Sequence, residues 1–473
     1  MTDDPNPSRL SFSRRDALQL LGGGLGSLGL STLLGQEAQA AALPQHLKTP
    51  APGHSARPHF APRAKRVIQL FMNGGPFQGD FFDPKPAINK YAGQRPAEVQ
   101  LRTENATGGL MAVPNGFKRC GKSGLEATEL LPRFSELMDE VCVIRSCHTD
   151  NPNHGPALFL LNNGTITPTR PSLGSWMMYG LGSENENLPG YVVLCPGRPV
   201  RFAELWSAGF LPGEYQGTYI NHSNLSPAQM IPFLRRAGRD PETQRRQVDL
   251  LRALDGEQAA AAGHDAALET RVKAMETAFR MQFAATDAFD LEKEPQSMRE
   301  EYGATPFANG CLLARRLVER GVRFAQVYYG NGQPWDTHSS HDEQTCRLAA
   351  DIDRPMAALL RDLKRRGMLD DTIVIWGGEF GRTPTTEGSN GRDHNHYAFT
   401  TWMAGGGVRG GTAYGATDEF GFRAVQDKVH VHDLHATLLH LLGLDHEKLT
   451  YRYAGRDFRL TDVYGSVVKG ILA

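Results

Sequence analysis

Short, nearly unbroken apolar runs recur along the chain, each stopped by glycine or a polar loop. Arg66-Val-Ile-Gln-Leu-Phe-Met72 ends at Asn73-Gly-Gly-Pro76, and Glu140-Val-Cys-Val-Ile-Arg-Ser146 runs into Cys147-His-Thr-Asp150. Tyr191-Val-Val-Leu-Cys195, Val322-Arg-Phe-Ala-Gln-Val-Tyr-Tyr329, Thr372-Ile-Val-Ile-Trp376 and Tyr397-Ala-Phe-Thr-Thr-Trp-Met403 follow the same rule. Runs of that length without polar alternation suit strands covered on both faces, as in a parallel sheet. Helical spacing falls between them, over 125–140, 307–320, 342–366 and from His430 to Gly443, where Asp433 is a candidate N-cap. The pattern predicts an α/β fold, a doubly wound and mainly parallel sheet flanked by helices. Residues 226–302 break the rhythm with charged, alanine-rich helical sequence and read as a helical insertion.

In such a sheet, ligands bind beyond the C-terminal ends of the strands. The richest strand end here is Gln333-Pro-Trp-Asp336-Thr-His338-Ser-Ser-His341, with one carboxylate and two imidazoles. Gly378-Glu379-Phe-Gly-Arg382 follows the next strand, and Gly391-Arg392-Asp393-His394-Asn-His396 follows that. Asp80 lies beyond the first strand, and His148 and His154 beyond the second. Carboxylate with imidazole suits a divalent ion such as Zn, Mn, Ca or Fe. The expected metal ligands are Asp80, Asp336, His338, His341, Glu379, Asp393, His394 and His396. Arg382, Arg392 and His154 are the expected catalytic groups, the arginines for an anionic transition state.

Composition narrows the partners. The 473 residues are 40% hydrophobic and 22% charged, with formal net charge −1, so nothing draws the chain globally to nucleic acid. Ser13-Arg-Arg-Asp-Ala-Leu-Gln-Leu20, an apolar Gly-rich run and Ala38-Gln-Ala40 predict a twin-arginine (Tat) signal over 1–40, removed to leave a soluble periplasmic or secreted protein. Residues 41–65 read as a linker and 66–473 as the folded domain. Six cysteines permit disulfides after export, a local Cys142–Cys147 bridge among them, while Cys311 reads as a core residue.

The Tat signal, Gly74-Gly-Pro76, Asp80-Phe-Phe82-Asp83-Pro-Lys-Pro86, Arg145-Ser146, His154, Trp335-Asp-Thr-His338, Gly378-Glu-Phe-Gly-Arg-Thr-Pro384 and Asp393-His394 together resemble domain of unknown function 1501. That family is related to the sulfatase and alkaline-phosphatase superfamily. The resemblance runs from Arg66 to the C-terminus and implies a doubly wound α/β fold with a two-metal site. It implies that Glu379-Phe380 stands where active relatives carry an Asp-His or Asp-Asn ligand pair. His396 falls at the distance of a later metal histidine, and Asp336 with His338 or His341 matches the other metal. The relatives' nucleophile segment falls near His154-Gly-Pro156, without Ser, Thr or Cys, and Phe77 replaces a serine common after the Gly-Gly-Pro turn. Thr149, Ser146 and Cys147 are the nearest alternatives. The expected function is an exported metal-dependent hydrolase of phosphate or sulfate esters, on a small-molecule or glycan substrate. A non-catalytic binder of an anionic glycan or protein is the alternative.

Overall fold

The computed structural model describes residues 57–201, 203–230, 241–262, 275–276, 279–280 and 287–473. The expected Tat signal lies outside them. Of the expected linker, residues 57–65 are described, and His59, Arg63 and Ala64 donate backbone hydrogen bonds to the carbonyls of Gly443 and Leu441. Within 226–302 the described residues include the helices Pro227–Met230, Pro241–Ala262 and Gln296–Tyr302. No helix among the described residues is long and apolar enough to cross a membrane.

A nine-stranded sheet organises the chain. In sequence order its principal strands are β1 (Arg66–Phe71), β2 (Val141–His148), β3 (Tyr191–Cys195), β4 (Thr218–Asn221), β5 (Phe324–Tyr328), β6 (Thr372–Gly377), β7 (Phe399–Ala404) and β8 (Thr412–Tyr414). Their spatial order is β8-β2-β7-β6-β1-β5-β3-β4. Every pair is parallel except those of β7, which runs antiparallel to both β2 and β6. Two reversals bring β2 back into line with β6, so β1, β2, β5 and β6 all finish at one edge of the sheet. The antiparallel direction of β7 was not legible in its apolar run, because a strand buried on both faces reads alike in either direction.

Burial on both faces explains those runs. Along β1, Ile68 and Leu70 join one core cluster while Val67 and Phe71 join the other. In β6, Val374 and Trp376 divide from Ile373 and Ile375 in the same way, as the two-residue period of a strand requires. Helices α3 (Pro306–Glu319) and α4 (His341–Arg365) cover the first face. The second is covered by α1 (His154–Asn163), α2 (Leu173–Leu181) and α5 (Val431–Leu441). The expected N-cap of α5, Asp433, sits instead inside its first turn, where it accepts the backbone N–H of the capping residue His430 at 2.8 Å.

Residues 125–140 do not form the helix that their spacing suggests. Leu125–Thr128 pairs with Phe117–Cys120 as a hairpin, and Phe134–Glu140 is a three-ten helix. Pro132 between them has no backbone N–H for a continuous helix. All six cysteines are free thiols. Cys142 and Cys147 lie five residues apart on one strand, about 16 Å, beyond the reach of a disulfide. Cys311 is buried in the first core.

Candidate metal centre

Three turns converge at the shared strand edge. Beyond β1, Gly74 (φ +116°) and Gly75 (φ +83°) adopt a backbone that L side chains resist. A Cβ on Gly74 would stand 2.4 Å from the Asp336 nitrogen, so glycine lets the β5 loop close down on the β1 turn. Asn153 caps α1 by accepting from Gly155 N at 3.1 Å, which places His154 in the first helical turn. A second, three-stranded antiparallel sheet contains Gly381–Glu387 and Gly391–Asn395, in register with Arg382 opposite His394. A Cβ on Gly391 would meet the His338 carbonyl at 1.9 Å, another point where glycine permits close approach.

These elements gather His154, Asp336, His338 and His394 into one group whose ligand-type atoms all lie within 4.8 Å of one another. Asp336 Oδ1 is 3.2 Å from His154 Nε2, 2.8 Å from His338 Nε2 and 3.2 Å from His394 Nε2. The other ring nitrogen of each histidine faces a carboxylate. His154 Nδ1 meets Glu379 at 2.7 Å, His394 Nδ1 meets Glu104 at 2.7 Å, and His338 Nδ1 meets Glu387. A neutral imidazole that donates from Nδ1 keeps a lone pair on Nε2, and a carboxylate behind a ligating histidine is the usual support of a metal site.

His338 Nε2 and His394 Nε2 are 3.0 Å apart, so both cannot carry a proton. His154 Nε2 is buried and lacks a hydrogen bond of good geometry. Three imidazole nitrogens and a carboxylate oxygen facing one point suit a divalent cation, and zinc best by donor type. Their electrostatics agree. Burial disfavours the Asp336 carboxylate, yet the three imidazoles and the Arg382 guanidinium outweigh it and hold that carboxyl far below the usual range. Burial also opposes charge on His154, but the Asp336 and Glu379 carboxylates push its pKa up to about 9. The pocket therefore favours positive charge at this point.

The remaining expected site residues are placed differently. Glu379 is fully buried and accepts from Gly74 N at 3.1 Å and from His154, so it braces a histidine from behind. Arg382 is fully buried too. It donates to Gly75 O at 3.1 Å, to Arg392 O at 3.2 Å, and to Gly74 O and Asp336, which leaves its fork committed to anchoring Asp336. Arg392 donates to the carbonyls of Thr383 and Met111, each at 3.1 Å, with its guanidinium 4.0 Å from the Phe77 ring centroid. His341 and Asp80 pair with each other at 2.8 Å, buried, and Thr337 Oγ1 sits 2.6 Å from the other His341 nitrogen. Asp393 accepts the Asn105 N–H at 2.7 Å and forms a second possible ligand group with His338 and Glu387. His396 lies in a neighbouring cleft beside His148. Glu104 and Glu387, which complete the histidine supports, carry no sequence signal of their own.

The hydroxyl and thiol candidates lie outside the group of His154, Asp336, His338 and His394. Ser146 donates to Asp427 O at 2.6 Å, and burial pushes the Cys147 thiol up to about 12. Thr149 lines the His396 cleft.

Solved structures with a similar course of the chain include the lipoteichoic acid synthase LtaP from Listeria monocytogenes, at 9% identity and TM-score 0.37, covering 86% of this chain and 78% of that one. A protein in the alkaline phosphatase superfamily from Vibrio parahaemolyticus gives 13% and 0.34, covering 92% and 76%. The PsFucS1 sulfatase from Pseudoalteromonas sp. gives 12% and 0.34, covering 89% and 72%. Likeness at that level carries no functional weight. No curated protein matches in sequence. The family model described as "Protein of unknown function (DUF1501)" matches residues 64–472, and the chain belongs to that family.

Proposed function

We propose that the protein is an exported, metal-dependent hydrolase of phosphate or sulfate esters, with His154, Asp336, His338 and His394 holding one divalent cation. The observation that carries the reading is the convergence of three Nε2 atoms on Asp336 Oδ1 with a carboxylate behind every ring. A divalent cation bound there supplies a Lewis acid and lowers the pKa of a bound water toward neutrality. Glu379, Glu104 and Glu387 fix the tautomer and orientation of the rings. Arg382 holds Asp336 in place. With Ser146, Cys147 and Thr149 outside this group, water is the nucleophile: its oxygen bonds to phosphorus or sulfur as the bond to the ester oxygen breaks, and the proton that water gives up ends on that leaving oxygen. The expectation of export rests on the twin-arginine pattern of residues 13–20.

The non-catalytic reading has one observation in its favour: both expected transition-state arginines are fully buried and bonded to protein carbonyls. Metal analysis and ester assays separate the two. The wild type is expected to hold one equivalent of Zn or a similar ion and to release nitrophenolate from 4-nitrophenyl phosphate or sulfate, and the Asp336→Ala/His338→Ala variant to do neither. Stoichiometric metal with no turnover of any phosphate or sulfate ester favours the binder. Absence of stoichiometric metal overturns both the centre and the hydrolase.

A further inference from the structure

Beside the metal centre a separate cleft of about 310 Å³ opens at the end of β2. Its walls include His148 and Thr149 from that strand end, His396, and the cations Arg423 and Lys428. The volume is at the small end of ligand pockets, enough for one compact polar group. His396 follows His394 by two residues, so their Cα atoms lie within about 7 Å. The backbone N–H of Thr149 donates to His396 O at 3.0 Å, which locks the two walls together.

Three of its polar side chains, Thr149, Arg423 and Lys428, have no hydrogen-bond or ion-pair partner among the described residues. Thr149 is only 4% exposed, yet its Oγ1 has no hydrogen-bond partner among the described residues. The Arg423 and Lys428 side chains are exposed and make no ion pair among the described residues. The one acidic side chain at the rim, Asp150, is engaged by His430 Nε2 at 3.1 Å. A buried hydroxyl without a partner is costly unless a ligand or water satisfies it. Two unpaired cations above it select an anion with several acceptor oxygens.

We propose that this cleft is a second anion site, distinct from the metal centre, that binds a sulfate or phosphate group. Thr149 donates from the floor, and Arg423 and Lys428 close over the oxyanion from the rim. The imidazoles of His148 and His396 line the sides. The site stands without the hydrolase reading. That one ligand engages both sites does rest on it.

The test is calorimetric titration of the full chain with inorganic sulfate and phosphate, in the wild type, Arg423→Ala/Lys428→Ala, Thr149→Val and His338→Ala. Saturable binding is expected in chelator-treated wild type, where the metal centre holds no cation to draw an anion, weakened at least tenfold in the double variant and in Thr149→Val, and retained in chelator-treated His338→Ala. Arg423 and Lys428 are exposed, so their loss leaves folding intact, and an unchanged thermal melt verifies it. Two results overturn the site. One is no saturable anion binding in the wild type. The other is binding lost in His338→Ala and retained in the double variant, which assigns the anion to the metal centre. An adjacent titration with a disulfated disaccharide distinguishes sources. Tighter binding than sulfate that falls in both His338→Ala and the double variant identifies a substrate spanning the sites, and equal affinity identifies a free inorganic anion.

Discussion

Glu387 and Glu104 offer the sharpest test of the metal centre, because they brace His338 and His394 and lie outside the group of four that includes Asp336 and His154. Their side chains are 18% and 31% exposed and belong to none of the apolar cores, so replacing either with alanine leaves the packing of those cores intact. What each variant removes is the acceptor that keeps the proton of His338 or His394 on Nδ1. Loss of such a support typically weakens metal binding 10–100-fold, or about 1.4–2.7 kcal/mol. The two carboxylates act on different rings, so the double variant is expected to lose 10²–10⁴-fold, nearly additively. The assay is competition for Zn²⁺ against a chromophoric chelator at pH 7.5, on stripped and reloaded protein. A thermal melt checks it independently. At free metal a thousandfold above Kd, binding adds about 4 kcal/mol of stability, and a hundredfold weaker site retains about 1.4 kcal/mol. Wild-type affinity in both single variants and the double, with loss only in His338→Ala, would refute the assignment of these carboxylates as supports.

Further outcomes follow from particular contacts. His222 is 1% exposed, and burial lowers its pKa to about 4. The unfolded chain, near 6.5, then binds the extra proton, so this contribution is complete above pH 6.5 and fades as pH falls toward 4. Between pH 7.5 and 5 it amounts to about 2 kcal/mol. Urea melts with chelator at the two pH values should show that much less acid loss in His222→Leu, and an unchanged difference would contradict the assignment. Arg382→Met strips the partners from Asp336 and three backbone carbonyls, and is expected to lower stability by about 3–5 kcal/mol in chelator-treated protein; a shift below 1 kcal/mol by denaturant melt would contradict it. Gly391→Ala drives a methyl into the His338 carbonyl and should weaken Zn²⁺ binding at least tenfold while leaving the cores intact, which the same chelator competition checks.

The sheet was legible because both-sided burial leaves continuous apolar runs, and the strand ends marked where ligands gather. That logic put Asp336, His338 and His394 among the candidates, and the fold brings those three together. The limits lie in side-chain direction. His341 is three residues from His338, but Ser340 at φ +45° turns the chain into α4 and points His341 at Asp80. His396 follows the strand that carries His394, and past Asn395, whose side chain bonds Phe422 O at 3.0 Å, the chain enters the neighbouring cleft. Arginines read as anion binders turned out to be internal braces, since a motif gives no sign of how many carbonyls surround a guanidinium. Glu104 and Glu387 belong to no motif, and only the tertiary fold brings them to their histidines.

Charge gives the site its order of events. Asp336, Glu379, Glu387 and Glu104 place four carboxylates around three imidazoles, against the single guanidinium of Arg382. With His154 protonated, as a pKa of about 9 implies at neutral pH, and the other two rings neutral, the group carries a net charge of about −2, and an anionic ester approaching it would be repelled within about a Debye length. In the proposed hydrolase, a divalent cation held by the three Nε2 atoms would offset most of that field, so metal would be expected to bind before an anionic ester. Arg423 and Lys428 line the neighbouring cleft, apart from these carboxylates, and offer positive charge to an approaching anion. Removing these two cations should therefore slow capture of a charged ester and flatten its salt dependence, leaving turnover of bound ester unaltered. A drop in kcat without any change in kcat/KM or in its salt dependence would place them in the chemistry itself and overturn this order.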